Sequence, residues 1–294
     1  MEKWEKEFKD LSRREFLYLS GAGIAGMTLG GVAGLSHGKT PKYGGRIRIG
    51  ARYGAMGLDA HKNQDYGDIK SHTLMYYGLT EQGKLPQVEI YPMMAKSWEI
   101  SKDGREYIFP LKEGVKFHHG KEMDSGDVKY SIERVMNPAT RSPRAFAFRW
   151  VDSVNVIDKY HLKIRLKEPF APLLTVLTVN FCPIIPAGWE PTGTKPAPGT
   201  GPFVFKSFVP NETLEVSRFD KYWEVDEKTG DRLHFADGVF LKKIPEETVR
   251  LTALRAGDMD FIETPTIKVL AEALLEKPMA GITMGYDIDR KSVV

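Results

Sequence analysis

Val115-Lys116-Phe117-His118-His119-Gly120, with Asp124 through Asn137 behind it, is the stretch on which the fold turns. The first part ends in a glycine, the signature of a tight turn. Asp124 or Ser125 then stands where a helix cap belongs. Val128, Ile132 and Val135 follow at the helical period, and Pro138 lies beyond the end. Upstream, Tyr107, Phe109 and Leu111 alternate after the turn Asp103-Gly104, which predicts a strand. Pro110 inside it cannot donate to a ladder, so an edge position is expected there. Downstream, Leu162, Ile164 and Leu166 face one way while Lys163, Arg165 and Lys167 face the other. That pattern predicts a half-solvated antiparallel strand. Trp98, Phe109 and Phe117 are expected in the core of this section.

Working outward, Arg46-Ile47-Arg48-Ile49 alternates and reads as a strand with Ile47 and Ile49 inward. A Gly-rich loop follows at residues 53–59. Residues 72–79 read as a helix. Residues 192–202, rich in Pro, Gly and Thr, read as a crossover. Phe203, Phe205, Leu214 and Val216 fall in two further strands. Pro245 at a first helical turn, Val249 and Leu254 on one face, and Gly257 at the stop define another helix. Residues 258–262 then enter a strand. The overall expectation is a mixed α/β protein.

The chain has 294 residues, of which 41% are hydrophobic and 28% charged, with a net charge of +3. That is ordinary for a water-soluble domain. Basic residues are scattered beside acids, which gives no nucleic-acid footprint. Cys182 is the only cysteine. It excludes intramolecular disulfides and multi-cysteine metal sites, and it is expected as a buried thiol. At the N-terminus, Arg13-Arg14 with Phe16 and Leu17 precedes an uncharged, weakly apolar stretch to Leu35 that carries six glycines. The pattern resembles a twin-arginine export signal, residues 1–36. A membrane-spanning anchor is the alternative, but glycine makes such a helix poorly self-supporting, at roughly 1 kcal/mol each. No cysteine follows for lipid attachment, which favours a periplasm.

His118-His119 invites a metal reading. Adjacent residues on a strand point to opposite faces, so a structural turn is expected and no metal site. Gly199-Thr200-Gly201-Pro202 lacks the GK[ST] of a phosphate loop, and strand rather than helix is expected after it. Tyr222 and Trp223 are expected in the core. No Ser-His-Asp or Cys-His arrangement stands out, so no catalytic residue and no cofactor is expected. Asp59 and His61 lie near a loop of interest and read as solvated.

Four stretches together carry a resemblance: 97–120, 124–137, the Gly199-Thr200-Gly201-Pro202-Phe203 run with Asp220-Lys221-Tyr222-Trp223, and 245–260. They resemble an extracytoplasmic solute-binding protein of the oligopeptide/dipeptide/nickel family (family 5), over roughly residues 44–261. The resemblance implies a periplasmic-binding-protein-like fold (type II, with an extra inserted domain), here lobe one plus the inserted domain only. It implies residues 37–66 as linker and first piece of lobe one. Residues 67–193 would be the inserted α/β domain, 194–264 the second piece of lobe one, and 265–294 a remnant or start of lobe two. The last residues, 287–294, resemble a helix found early in that second lobe, and they arrive soon after Ile262. The implied function is the substrate-binding component of an ABC transporter, capturing peptides or a related small solute, in an incomplete copy. Its implied partners are permease subunits, the ligand and the twin-arginine export machinery. The alternative is a membrane-tethered interaction domain or half of a split binder. The expected lobe-one contacts are Tyr53, Gly54, Ala55, Met56, Asn180 and Phe181.

Overall fold

The computed structural model describes residues 44–83, 89–225, 230, 233 and 235–263. All belong to one packing unit, Lys42–Thr264. The export-signal reading at Arg13, Arg14, Phe16 and Leu17, and the reading of 287–294, lie outside these residues. Among the described residues no helix is long and apolar enough to cross a membrane.

Two sheets organise the chain. The first has strand order β11-β1-β10-β9-β8, with β1 Arg46–Ala51, β8 Phe203–Val209, β9 Thr213–Arg218, β10 Gly238–Lys243 and β11 Phe261–Ile262. β1 runs parallel to both β10 and β11, while β10, β9 and β8 pair antiparallel. The second sheet, β4-β5-β7-β6, is antiparallel throughout. It comprises β4 Glu99–Ile100, β5 Glu106–Pro110, β6 Val151–Asp158 and β7 His161–Leu166. A short ladder joins β2 Thr80–Gln82 to β3 Ile90–Pro92. Among the described residues the α-helices are α1 Tyr66–Met75, α2 Ser125–Met136, the short α3 Leu173–Val176, and α4 Glu247–Arg255.

The alternation on β5 and β7 puts Tyr107, Phe109, Leu162, Ile164 and Leu166 on the buried face. α2 lays Val128, Ile132 and Val135 on that face, and Phe117 joins them from the turn. Burying each such phenylalanine contributes roughly 1.5–3 kcal/mol. Asp124 is the N-cap of α2, and its side chain accepts from the Asp127 amide. Trp98 is only half-buried against this core. Cys182 is buried there, which pushes its thiol pKa up. Tyr222 is buried in the same cluster and Trp223 packs at its edge, as core residues. A second cluster under the five-stranded sheet gathers Ile49, Leu58, Met75, Tyr76, Leu214, Val216 and Val239. The consecutive residues Tyr76 and Tyr77 divide between the two clusters, as do Ile184 and Ile185.

The His118 turn and the 199–201 run grip each other. His118 N–H donates to Gly199 O at 2.9 Å, and Gly199 N–H donates to His118 Nδ1 at 3.2 Å. His118 Nε2 then donates to Gly201 O at 3.0 Å. Both ring nitrogens are spent on backbone, and burial lowers the imidazole pKa to about 4. A Cβ on Gly199 would sit 1.8 Å from Met75 O, so only glycine fits this approach.

Four expectations need correction. The helix expected at 72–79 is α1 Tyr66–Met75, and the backbone is already extended at its C-cap, Tyr76. Its buried residues, Gly67, Asp68, Ser71, His72 and Met75, include only one large apolar side chain, so no apolar stripe marked it. Pro110 is not on an edge strand, because β5 lies between β4 and β7. It is the last residue of β5, beyond the two-residue β4, where Lys96 N–H reaches its carbonyl. Pro245 precedes Glu246, the N-cap of α4. In that helix Val249 is exposed, and Arg250 is the buried residue, its Nη1 donating to Ile244 O and Pro245 O.

Candidate functional site

The loop leaving β1 lies at the C-terminal edge of the parallel strands, where open α/β sheets place their crevices. Its backbone is held from two sides. Asn211, at the tip of the β8–β9 hairpin, donates its N–H to Ala55 O at 2.6 Å. From the other side, Asp68 in the first turn of α1 accepts Met56 N–H at 2.6 Å and Gly57 N–H at 3.2 Å. Asp68 Oδ2 accepts the Asp65 N–H at 3.1 Å, closing a capping box. A Cβ on Gly67 would lie 2.3 Å from Gly54 O, so glycine lets α1 approach this closely. Burial raises the Asp68 carboxyl pKa, against the lowering effect of its three backbone donors.

This scaffold presents Tyr53 and Met56 to solvent, at 47% and 54% exposure, while Ala55 is buried and Gly54 half-buried. Tyr53 meets the exposed Tyr66 edge-on, with centroids 5.8 Å apart. Arg52 lies 5.2 Å over the Tyr53 ring, and Lys70 Nζ 4.1 Å over Tyr66. Lys70 also pairs with Glu263, whose other oxygen accepts Arg52 N–H at 3.1 Å.

Asn180 and Phe181 are half-buried in the turn after α3, with Phe181 N–H donating to Thr178 O at 3.0 Å. The Arg144 guanidinium carbon stands 4.9 Å over the Phe181 ring, and Arg144 Nε donates to Gln64 Oε1 at 3.3 Å. Gln64 is two residues from Tyr66, at most ~7 Å of chain. The two candidate segments are thus joined through residues 64–66.

Asp59 and His61 are not solvated. They are 3% and 0% exposed. Arg134 on α2 meets Asp59 through both nitrogens of its fork, at 3.0 and 2.8 Å. Its Nη1 also donates to His61 Nδ1 at 3.1 Å, while His61 Nε2 donates to Pro183 O at 2.8 Å. Burial, with the adjacent guanidinium, lowers the His61 pKa to about 4. Burial alone would raise the Asp59 carboxyl, but Arg134 and the His61 N–H hold it below its ordinary value. This network ties the 53–61 loop to α2 and leaves neither side chain for a solute. Sequence reasoning missed Asp68, Arg134 and Arg144. For Asp68 a signal existed, the Asp65-x-x-Asp68 spacing of a capping box.

Residues 89–285 match the family described as bacterial extracellular solute-binding proteins, family 5 (middle region). The chain belongs to that family. It is 28% identical over 221 residues to the glutathione-binding protein GsiB of Pectobacterium atrosepticum, covering 73% of this chain and 41% of that protein. It is 29% identical over 223 residues to heme-binding protein A of Haemophilus influenzae, covering 67% and 39%. Among solved structures, the periplasmic binding protein DppA of Helicobacter pylori, in complex with peptide STSA, aligns with a TM-score of 0.69 at 26% identity. That alignment covers 81% of this chain and 50% of that one. AgaA of A. tumefaciens R10, in complex with agropinic acid, aligns at 0.71 with 26% identity, covering 80% and 46%. The fold is periplasmic-binding-protein-like, and the chain spans about two fifths of the length of these two curated relatives.

Proposed function

We propose that this chain is the substrate-binding component of an ABC transporter and captures a peptide or related small solute outside the cytoplasmic membrane. The observation that carries this is a braced loop with exposed aromatics at the sheet edge, in a chain of the solute-binding family. Tyr53 and Met56, with Tyr66, Gln64, Arg144 and Phe181, form one wall of the cleft. Gly54 and Ala55 contribute backbone and Asn180 the adjoining turn. A wall of this kind binds by apolar contact with a few placed polar groups. Residues 37–66 and 194–264 form lobe one and 67–193 the inserted domain. Residues 265–294, in this reading a remnant or the start of a second lobe, lie outside the described residues. Permease subunits are the partners. Residues 1–36 address the chain to the twin-arginine machinery and so to the periplasm.

Saturation-transfer NMR on the purified chain with a mixed pool of di- to pentapeptides tests the reading. Transfer to a subset of the peptides is expected. Its absence for every member would argue against peptide capture.

A further inference from the structure

We infer that Arg144 is a specificity-determining residue that receives a carboxylate of the solute. The inference rests on the solute-binding reading above and deepens it. Arg144 sits in the run Arg141-Ser142-Pro143-Arg144-Ala145-Phe146-Ala147-Phe148-Arg149, which holds three arginines and no acid. Its backbone is set by a turn, with Arg144 N–H donating to Ser142 Oγ at 3.3 Å. Its side chain is half-buried and fixed at two points, the Nε bond to Gln64 Oε1 and the Phe181 face.

A guanidinium has five N–H donors in a rigid fork. Nε takes one partner here. Among the described residues neither Nη of Arg144 makes a hydrogen bond or an ion pair. Other anchored arginines of this chain are spent differently. Arg134 closes its fork on Asp59, Arg48 reaches Asp260 through Nε and Nη2, and Arg250 takes two carbonyls. Arg144 is therefore pre-oriented by an aromatic face and an amide, with its fork unspent, beside the candidate segment at 180–181. A fork held this way matches a planar carboxylate bidentately and loses little freedom on binding. Both a peptide C-terminus and an acidic side chain carry that chemistry.

The test titrates the purified full chain with two peptide pairs. The first is Ala-Ala-Ala as free acid and as C-terminal amide. The second is Ala-Glu-Ala-amide and Ala-Gln-Ala-amide. For at least one pair the acid should bind about tenfold tighter, a difference of ~1.4 kcal/mol. The pair that discriminates identifies the source of the carboxylate. Arg144→Gln should bring that ratio close to one. Arg144→Lys, which keeps charge without the fork, should fall between. Wild-type chain that binds the peptides without telling acid from amide would overturn the inference and leave the binding reading standing. So would a ratio that survives Arg144→Gln. Failure of all four peptides to bind would overturn the inference, and absence of saturation transfer to every member of the peptide pool would overturn peptide capture with it.

Discussion

Asp68 is the side chain on which the shape of the 53–57 loop rests. It is 1% exposed and accepts from Met56, Gly57 and Asp65. Asp68→Asn replaces one acceptor oxygen by a donor and leaves at least one of these three N–H groups without its carboxylate acceptor. Such a loss costs ~1–3 kcal/mol, to be read as a lower urea midpoint at unchanged slope. A change below ~0.5 kcal/mol would mean that other contacts hold the loop. Some of these residue roles were legible in the sequence. Asp124 as a cap, Cys182 as a buried thiol and His118 as a turn residue each follow from local pattern. The Asp59–Arg134 pair does not, because 75 residues separate its members and no spacing encodes it. Arg144 was equally silent, since its partners Gln64 and Phe181 come from distant segments.

At the scale of elements, burial decided what could be read. β5, β7, β8 and β9 each set alternate apolar side chains on a core, so period two exposed them. α2 showed its stripe for the same reason. α1 hides a largely polar face, and α4 buries an arginine. The joints between elements also predict a pH dependence. His61, His72 and His118 are buried, and burial lowers their pKa values to about 4, 3 and 4. In the unfolded chain each titrates near ~6.5. The folded state therefore favours the neutral form. The stability this represents is fully present above ~6.5 and is lost as pH falls from there toward the folded values. With three protons taken up on unfolding, the loss should approach ~4 kcal/mol per pH unit near pH 5. Urea unfolding from pH 7 to 5 measures it, and His118→Asn should reduce the slope by about one proton's share. A flat profile would show that these imidazoles are not held neutral.

Replacing Arg13-Arg14 by Lys-Lys should stop a folded reporter, fused after Ser36, from reaching the periplasm. Unchanged arrival would remove the twin-arginine reading. The fold class and family were legible through the resemblance that the His118 turn, the α2 cap and the 199–203 run carry, and each of these stretches also meets a geometric demand. The wall was only half legible. Tyr53 and Met56 are exposed on a braced loop, but their neighbours Tyr66, Gln64 and Arg144 come together only in three dimensions. The proposed wall is expected to take the solute. The most direct measurement is a residue-by-residue NMR titration of the purified chain with a peptide that shows saturation transfer, carried to about 10 mM to reach millimolar affinities. Saturable shifts centred on Tyr53, Met56, Tyr66, Arg144 and Phe181 are predicted. Saturable shifts confined to another surface, or none at all, would contradict it.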